Sequence, residues 1–238
     1  MALTLGANVD TEALAKSFAS KGVVDMPGFL ADDAARILVE NLETRRDWLE
    51  VFHTSASTYE MPVSEFDRMD SAKRSQLDQL VWREARSGFQ FRYRTVRVPD
   101  ARSKRTPLED PLHEFTVMMS STPILAMFGK VTGRDTLHLA DAQATAYSAG
   151  HFLTAHDDAV EKKGRVAAYV FSLAREWSPD WGGLLIFPEA AELRGFIPEF
   201  NSLRLFSVPQ KHSVTYVPPF VTATRYSITG WLRLKDVE

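Results

Sequence analysis

Two histidines and an aspartate are the residues here whose chemistry is easiest to name. In HFLTAHDDAVEKKGRVAAYVF, residues 151–171, His156 and Asp158 stand two apart. On a strand, positions two apart project to the same side, so imidazole and carboxylate can converge while Asp157 turns away; on a helix the pair would diverge by about 200°. The spacing therefore works as a site only in extended or turn-like backbone, with which the flanking Gly150 and Gly164 are compatible. A short triplet carries a high false-positive risk by itself. His212, in SVPQKHSVTYV at the entrance to another expected strand, supplies a third group. Two histidines and one carboxylate from two strands form the facial arrangement that holds Fe(II) on one side and leaves the opposite positions open for oxygen chemistry. The plainer reading of His212 alone is a hydrogen-bonded histidine at a strand end.

Arg225 follows in TATRYSITGW. If that run is a strand, Arg225, Ser227, Thr229 and Trp231 share one face, and guanidinium and hydroxyl can meet one carboxylate together. Arginine holds a planar carboxylate in a two-bond fork that lysine cannot reproduce. An arginine facing a core also needs an anion, and a salt bridge to a protein carboxylate would satisfy that need equally well.

The elements that must position these groups divide the chain into two textures. Apolar residues recur three and four apart in TEALAKSF, in ILVENLETRRDWL behind Asp32 and Asp33, and through SEFDRMDSAKRSQLDQLVWREA; further helices are expected from Pro107–Pro111 onward and in TPILAMFGKV, capped by Thr122 with Pro123 in its first turn. GVVDMPGFL reads as a short strand and turn. FQFRYRTVRV, residues 89–98, alternates with Phe89, Phe91, Tyr93 and Thr95 on one face and Gln90, Arg92 and Arg94 on the other. With Arg97, Arg102, Lys104 and Arg105 it concentrates positive charge over residues 92–105, which is either a solvated face or one wall of a cleft for an acidic partner. From about residue 136 the runs are short, β-branched or aromatic, and separated by Gly, Pro, Asn and Asp, as in a sandwich or barrel.

The 238 residues, 45% hydrophobic and without an obvious linker or repeat, are expected to form one domain over 1–238, with mainly helical support and a few strands in 1–135 and a β core in 136–238. A net charge of −3 gives no global footprint for nucleic acid or an anionic membrane. The absence of cysteine excludes disulfides, thiolate metal sites and cysteine nucleophiles. No signal peptide and no apolar run of about 18 residues is seen, so a cytoplasmic location is expected.

The ordered set His156-x-Asp158, His212 and Arg225-x-Ser227 resembles the Fe(II)- and 2-oxoglutarate-dependent dioxygenases, and more narrowly the prolyl 4-hydroxylase-like group that includes the hypoxia-sensing and ribosomal-protein prolyl hydroxylases. The resemblance extends over about residues 137–234 through Tyr147 and Gly150, Gly164-Arg165, Trp177, Gly182-Gly183 before LLIF, Asn201 before SLRLF, and TRYSITGW; GVVDMPGFLADDAARIL resembles the group's amino-terminal strand and helix. It implies an α+β fold with a double-stranded β-helix (jelly-roll, cupin-like) core braced by N-terminal helices. His156, Asp158 and His212 would bind iron, Arg225 and Ser227 would hold the distal carboxylate of 2-oxoglutarate with Thr229 nearby, and Tyr147 would line that pocket.

Dioxygen would be the cosubstrate, with ascorbate as a reductant, and a C–H bond would be hydroxylated with release of succinate and CO2. The implied substrate is a prolyl residue in a protein or peptide; free proline, another small metabolite, or a non-catalytic metal-binding barrel are the alternatives. In one respect the chain departs from the group. Ser172 stands where related hydroxylases place a carboxylate-anchoring tyrosine, so Ser227 and Thr229, or Tyr169, would have to supply that bond.

Overall fold

Strand β8 (Arg165–Ser172), RVAAYVFS, is buried from Ala167 onward. A strand without a solvated side needs cover on both faces. Helices supply one cover and the curl of the sheet supplies the other. The computed structural model describes residues 3–7, 9–54, 57–189 and 191–234.

The helices are α1 (Thr11–Lys21), α2 (Asp32–Thr44), α3 (Val63–Phe66), α4 (Ser71–Ala85), α5 (Pro111–Met119) and α6 (Thr122–Thr132). Around β8 run β1 (Val23–Pro27), β2 (Leu49–His53), β3 (Thr58–Pro62), β4 (Phe91–Arg97), β5 (Leu139–Ala140), β6 (Gln143–Tyr147), β7 (Phe152–His156), β9 (Leu185–Glu189), β10 (Glu192–Phe196), β11 (Ser202–Ser207), β12 (His212–Val214) and β13 (Arg225–Arg233). All of these pairings are antiparallel, in the order β1-β11-β8-β13-β6-β4-β7-β12-β9-β10, with β2 and β3 added beside β4 and β5 beside β13.

The curl turns on β4. Its end, Arg94–Arg97, pairs with β6, whereas its start, Phe91 and Arg92, pairs with β7. One strand thereby joins a larger sheet, β1-β11-β8-β13-β6, to a smaller one, β7-β12-β9-β10. The result is a curled antiparallel half-barrel, the double-stranded β-helix.

Alternation assigns the two faces of the larger sheet. Outward, Ala144, Ala146, Tyr169, Phe171, Leu203, Leu205 and Ile228 form one cluster with Leu38 and Leu42 of α2, Phe115 of α5 and Phe128 of α6. Inward, Ala168, Val170 and Phe206 meet Leu185 and Phe187 of the smaller sheet. The helices therefore brace the sheet from outside, and the interior is left for polar residues at the barrel mouth.

Four features depart from the periodic reading. The helix expected through ILVENLETRRDWL stops at Thr44, because Arg45 is extended (φ −59°, ψ 147°), and residues from Leu49 become β2. Val51 and Phe52 are buried in pairing with β4, and Trp48 is buried with its Nε1 donating to the Leu42 carbonyl. The helix expected from residue 64 to 85 is broken into α3 and α4 by Asp70, whose carboxylate accepts from the Ala72 and Lys73 N–H groups and restarts the helix. Strand β3 was not expected, and Ser121 rather than Thr122 occupies the cap position of α6.

The 92–105 basic segment divides as well. Arg92 and Arg94 point away from the barrel interior onto Glu50, which is fully buried and also bonded by His151 Nε2 at 3.0 Å. Arg92 also pairs with Asp78 of α4. Arg105 is buried on the carbonyls of Pro99 and Asp100, and Arg102 bonds the His138 carbonyl. Among the described residues no helix is long and apolar enough to cross a membrane.

Candidate metal and cosubstrate site

His156 and His212 are directly opposite each other in the β7–β12 pairing. Residues opposite on antiparallel strands share a face, and these two rings have centroids 4.1 Å apart. Each Nδ1 donates to a main-chain carbonyl, His156 to Thr154 at 3.0 Å and His212 to Gln210 at 2.7 Å. Such bonds fix the tautomer and leave both Nε2 lone pairs free for a metal.

Asp158 lies two residues beyond the end of β7, in left-handed backbone at φ 61°. The turn, rather than strand alternation, returns its carboxylate to the histidines. Oδ1 is 3.5 Å from His156 Nε2 and Oδ2 is 3.4 Å from His212 Nε2, and one ligand atom from each of the three residues lies within 4.8 Å of the others. Burial opposes ionisation of Asp158, but the nearby His156 and His212 rings and the Trp231 N–H outweigh it, so the carboxyl lies below the usual range. Burial, with the like charge of His156, holds His212 below the usual imidazole value and favours the neutral ring. A neutral His212 and an ionised Asp158 are in the protonation states that bind a divalent cation.

The triad opens into a cavity of about 220 Å³ that also takes in Tyr147, Arg225, Ser227 and Thr229. All seven residues singled out in the sequence thus line one space. Register explains how. Across β6, β13, β8 and β11, Thr145, Ser227, Ser172 and Ser202 stand side by side, each buried. They form a hydroxyl row on the inner face, and Tyr147 and Arg225 are opposite each other in the adjoining row. Ser227 Oγ and Thr145 Oγ1 are 2.8 Å apart, whereas Ser172 Oγ is buried without a hydrogen-bond partner.

Arg225 is 2% exposed, and its Nε and Nη1 are buried without partners. Burial brings its pKa from 12.5 down to about 10; the influence of Tyr147 opposes this and the like charge of Arg204 adds to it. At neutral pH it is a buried cation with no carboxylate partner among the described residues. Tyr169, the other tyrosine considered for this pocket, donates its hydroxyl to the Asp141 carbonyl at 2.6 Å on the outer side of the sheet. Its hydroxyl is engaged there, although the residue also lines the cavity.

Sequence reasoning left several wall residues without a role. Tyr93 stacks on Tyr147 at 5.4 Å and 20°, and Phe89 lies 5.5 Å from His156. Their strand face was legible from alternation, but not what that face would meet. Arg165 donates to the Asp158 carbonyl at 3.1 Å and stacks on the Trp231 ring at 3.5 Å. Nothing local in the sequence signals that contact.

Residues 142–233 match the family model described as the 2OG-Fe(II) oxygenase superfamily. No curated protein matches the chain in sequence. Among solved structures, a Burkholderia pseudomallei oxidoreductase of the 2OG-Fe(II) oxygenase family is 16% identical with a TM-score of 0.61, over 99% of this chain and 97% of its own. A Pseudomonas putida prolyl-4-hydroxylase is 17% identical with a TM-score of 0.59, over 94% and 99%. A Trichoplax adhaerens prolyl hydroxylase, solved with a hypoxia-inducible-factor peptide fragment, is 15% identical with a TM-score of 0.61, over 94% and 89%. Over residues 142–233 the chain is therefore similar to the 2OG-Fe(II) oxygenase superfamily, and its fold is the double-stranded β-helix that these structures share.

Proposed function

We propose that the protein is an Fe(II)- and 2-oxoglutarate-dependent hydroxylase whose substrate is a prolyl residue in a protein or peptide, and that residues 1–238 work as one catalytic unit. The observation that carries the cosubstrate is Arg225. A buried guanidinium without a carboxylate partner among the described residues, lining the same cavity as two histidines and an aspartate, calls for an anionic ligand near a metal. The prolyl assignment is supported by the prolyl hydroxylases among the structural neighbours, one solved with a peptide.

In this reading His156, Asp158 and His212 hold iron, which with 2-oxoglutarate and dioxygen supplies the oxidising chemistry, at the cost of decarboxylating the cosubstrate to succinate. The chain's own work is binding and exclusion. Arg225 takes the distal carboxylate of the cosubstrate in a two-bond fork, Ser227 and Thr145 present hydroxyls beside it, and Tyr147 with Tyr93 forms an aromatic wall that shields it from water. The carbonyls of Thr154 and Gln210 keep the two imidazoles aimed at the metal position.

An anaerobic titration of Fe(II)-loaded protein with 2-oxoglutarate tests the assignment. A saturable visible charge-transfer band that is lost in Asp158→Ala is expected. Absence of a band in protein shown to hold iron would return the site to a metal-binding barrel without this cosubstrate.

A further inference from the structure

A second, polar chamber of about 290 Å³ adjoins the metal cavity, sharing with it Tyr93, Gln143, Arg165 and Trp231. Its remaining charged walls are Arg97, Asp100, Asp141, Lys163 and Arg233. The two acids are both spoken for by one arginine: Arg233 Nη1 lies 3.1 Å from Asp100 Oδ2, and Arg233 Nη2 pairs with Asp141. Arg97 pairs with Glu60 of β3.

Among the described residues two cations remain, Lys163 without an ion pair and Arg165 with only the long one to Asp158. Lys163 is exposed and makes no ion pair among the described residues. Arg165 is held flat on Trp231, its Nε is buried without a hydrogen-bond partner, and its nearest carboxylate is Asp158 at 4.0 Å. Asp158 is a proposed metal ligand, so a bound metal would claim that charge and leave Arg165 more electropositive.

Arg225 is not among the walls of this chamber. Arg225 begins β13, whereas Arg165 is registered opposite Arg233 at the far end of that strand. At about 3.3 Å per residue the two ends are more than about 20 Å apart. Arg165 bonds the Asp158 carbonyl, so the chamber meets the cavity beside the metal triad.

We propose that this chamber is an anion subsite for the substrate: it receives a carboxylate carried close to the carbon that is hydroxylated, with Arg165 and Lys163 as its charge partners. The inference rests on the hydroxylase reading and adds that the substrate is acidic beside its target. The carboxylate belongs either to an Asp or Glu side chain flanking the target residue in a peptide or to a small free acid.

The test uses the full chain loaded with Mn(II) and 2-oxoglutarate under argon, with uptake of each followed by calorimetry before any substrate probe is added. Failure to take up 2-oxoglutarate would count against the hydroxylase reading itself. In one arm, single-proline peptides in a glycine–alanine background carry Glu or Gln at each of the three positions on either side of the proline. In the other, free proline is compared with prolinamide.

Tighter binding of the charged member by about tenfold in either arm, lost in Lys163→Glu and weakened as salt rises, is expected and identifies the source of the carboxylate. Peptides bearing Lys at the preferred position should then bind Lys163→Glu better than wild type. Equal binding of charged and uncharged members, no binding of the charged members in either arm, or a preference unchanged in Lys163→Glu would overturn the proposal.

Discussion

Arg225 and Tyr147 stand opposite each other in the β13–β6 register, with the guanidinium carbon 5.3 Å from the centre of the phenol ring. The ring covers the cation without neutralising it. A buried charge in that state costs folding free energy that only an incoming anion recovers. Arg225→Met should therefore raise the stability of cosubstrate-free protein by about 1–3 kcal/mol, while weakening 2-oxoglutarate by at least about 100-fold and leaving metal affinity unchanged. Denaturant unfolding and parallel titrations with Mn(II) and 2-oxoglutarate would show it. Equal loss of metal and cosubstrate would remove Arg225 from the role proposed for it.

Asp158 offers a similar separation of stability from binding. Its left-handed backbone, φ 61°, is one that glycine adopts without strain. Asp158→Gly should match or exceed the stability of metal-free wild type by up to about 1 kcal/mol, yet lose Mn(II) affinity by at least about 100-fold. Thermal unfolding in chelator, set against the bound fraction from electron paramagnetic resonance, checks both halves.

The two residues weighed against the missing tyrosine should respond in opposite ways. Tyr169→Phe removes a buried bond to the Asp141 carbonyl and should cost about 1–2 kcal/mol of stability without moving 2-oxoglutarate affinity. Ser172→Ala removes a buried hydroxyl that has no partner. It should leave stability unchanged or raise it by up to about 1 kcal/mol, and weaken 2-oxoglutarate a few-fold. A cosubstrate effect in Tyr169→Phe alone would reverse the assignment.

Acid sensitivity should centre on Glu50. Burial would raise its pKa, but the hydrogen bond and charge of His151 and the charge and bond of Arg92 bring it from 4.5 down to about 2. A carboxyl depressed in the folded state stabilises the protein above its unfolded value, and that contribution is lost as pH falls through the folded one. About 3 kcal/mol, fully present above pH 4.5, should therefore disappear between roughly pH 4.5 and 2. Glu50→Gln should flatten this part of the stability–pH curve and cost about 3 kcal/mol at neutral pH, since it leaves Arg92 with Asp78 as its one carboxylate partner among the described residues.

Gly230 lies in the cavity wall on β13, where an added Cβ would sit 1.9 Å from the Asp141 carbonyl oxygen and 2.7 Å from Tyr169 Oη. Backbone cannot move aside as a side-chain tip can. Gly230→Ala should cost about 2–4 kcal/mol, read as a lowered unfolding midpoint, whereas Ala at the open Gly88 should cost less than about 1.

The candidate site residues were legible in the sequence because metal and carboxylate binding would demand particular side chains at particular spacings. His156, Asp158, His212 and the Arg225 face could be named, as could the sheet-rich second half, since alternation is a local property of the chain. The helix-to-strand switch at residues 45–49 was not legible: pairing with β4 overrides a helical period that only tertiary contact can outvote.

Nor could the sequence show that Asp158 reaches the histidines through a left-handed turn, or that Arg92 and Arg105 face protein rather than a cleft. Where Tyr169 commits its hydroxyl, and which cations at the chamber lack a close ion pair, also waited on the fold. Partnering of this kind depends on residues tens to hundreds of positions apart in sequence, such as His151 on Glu50 and Asn201 on Leu30. Only the folded register brings them within bonding distance.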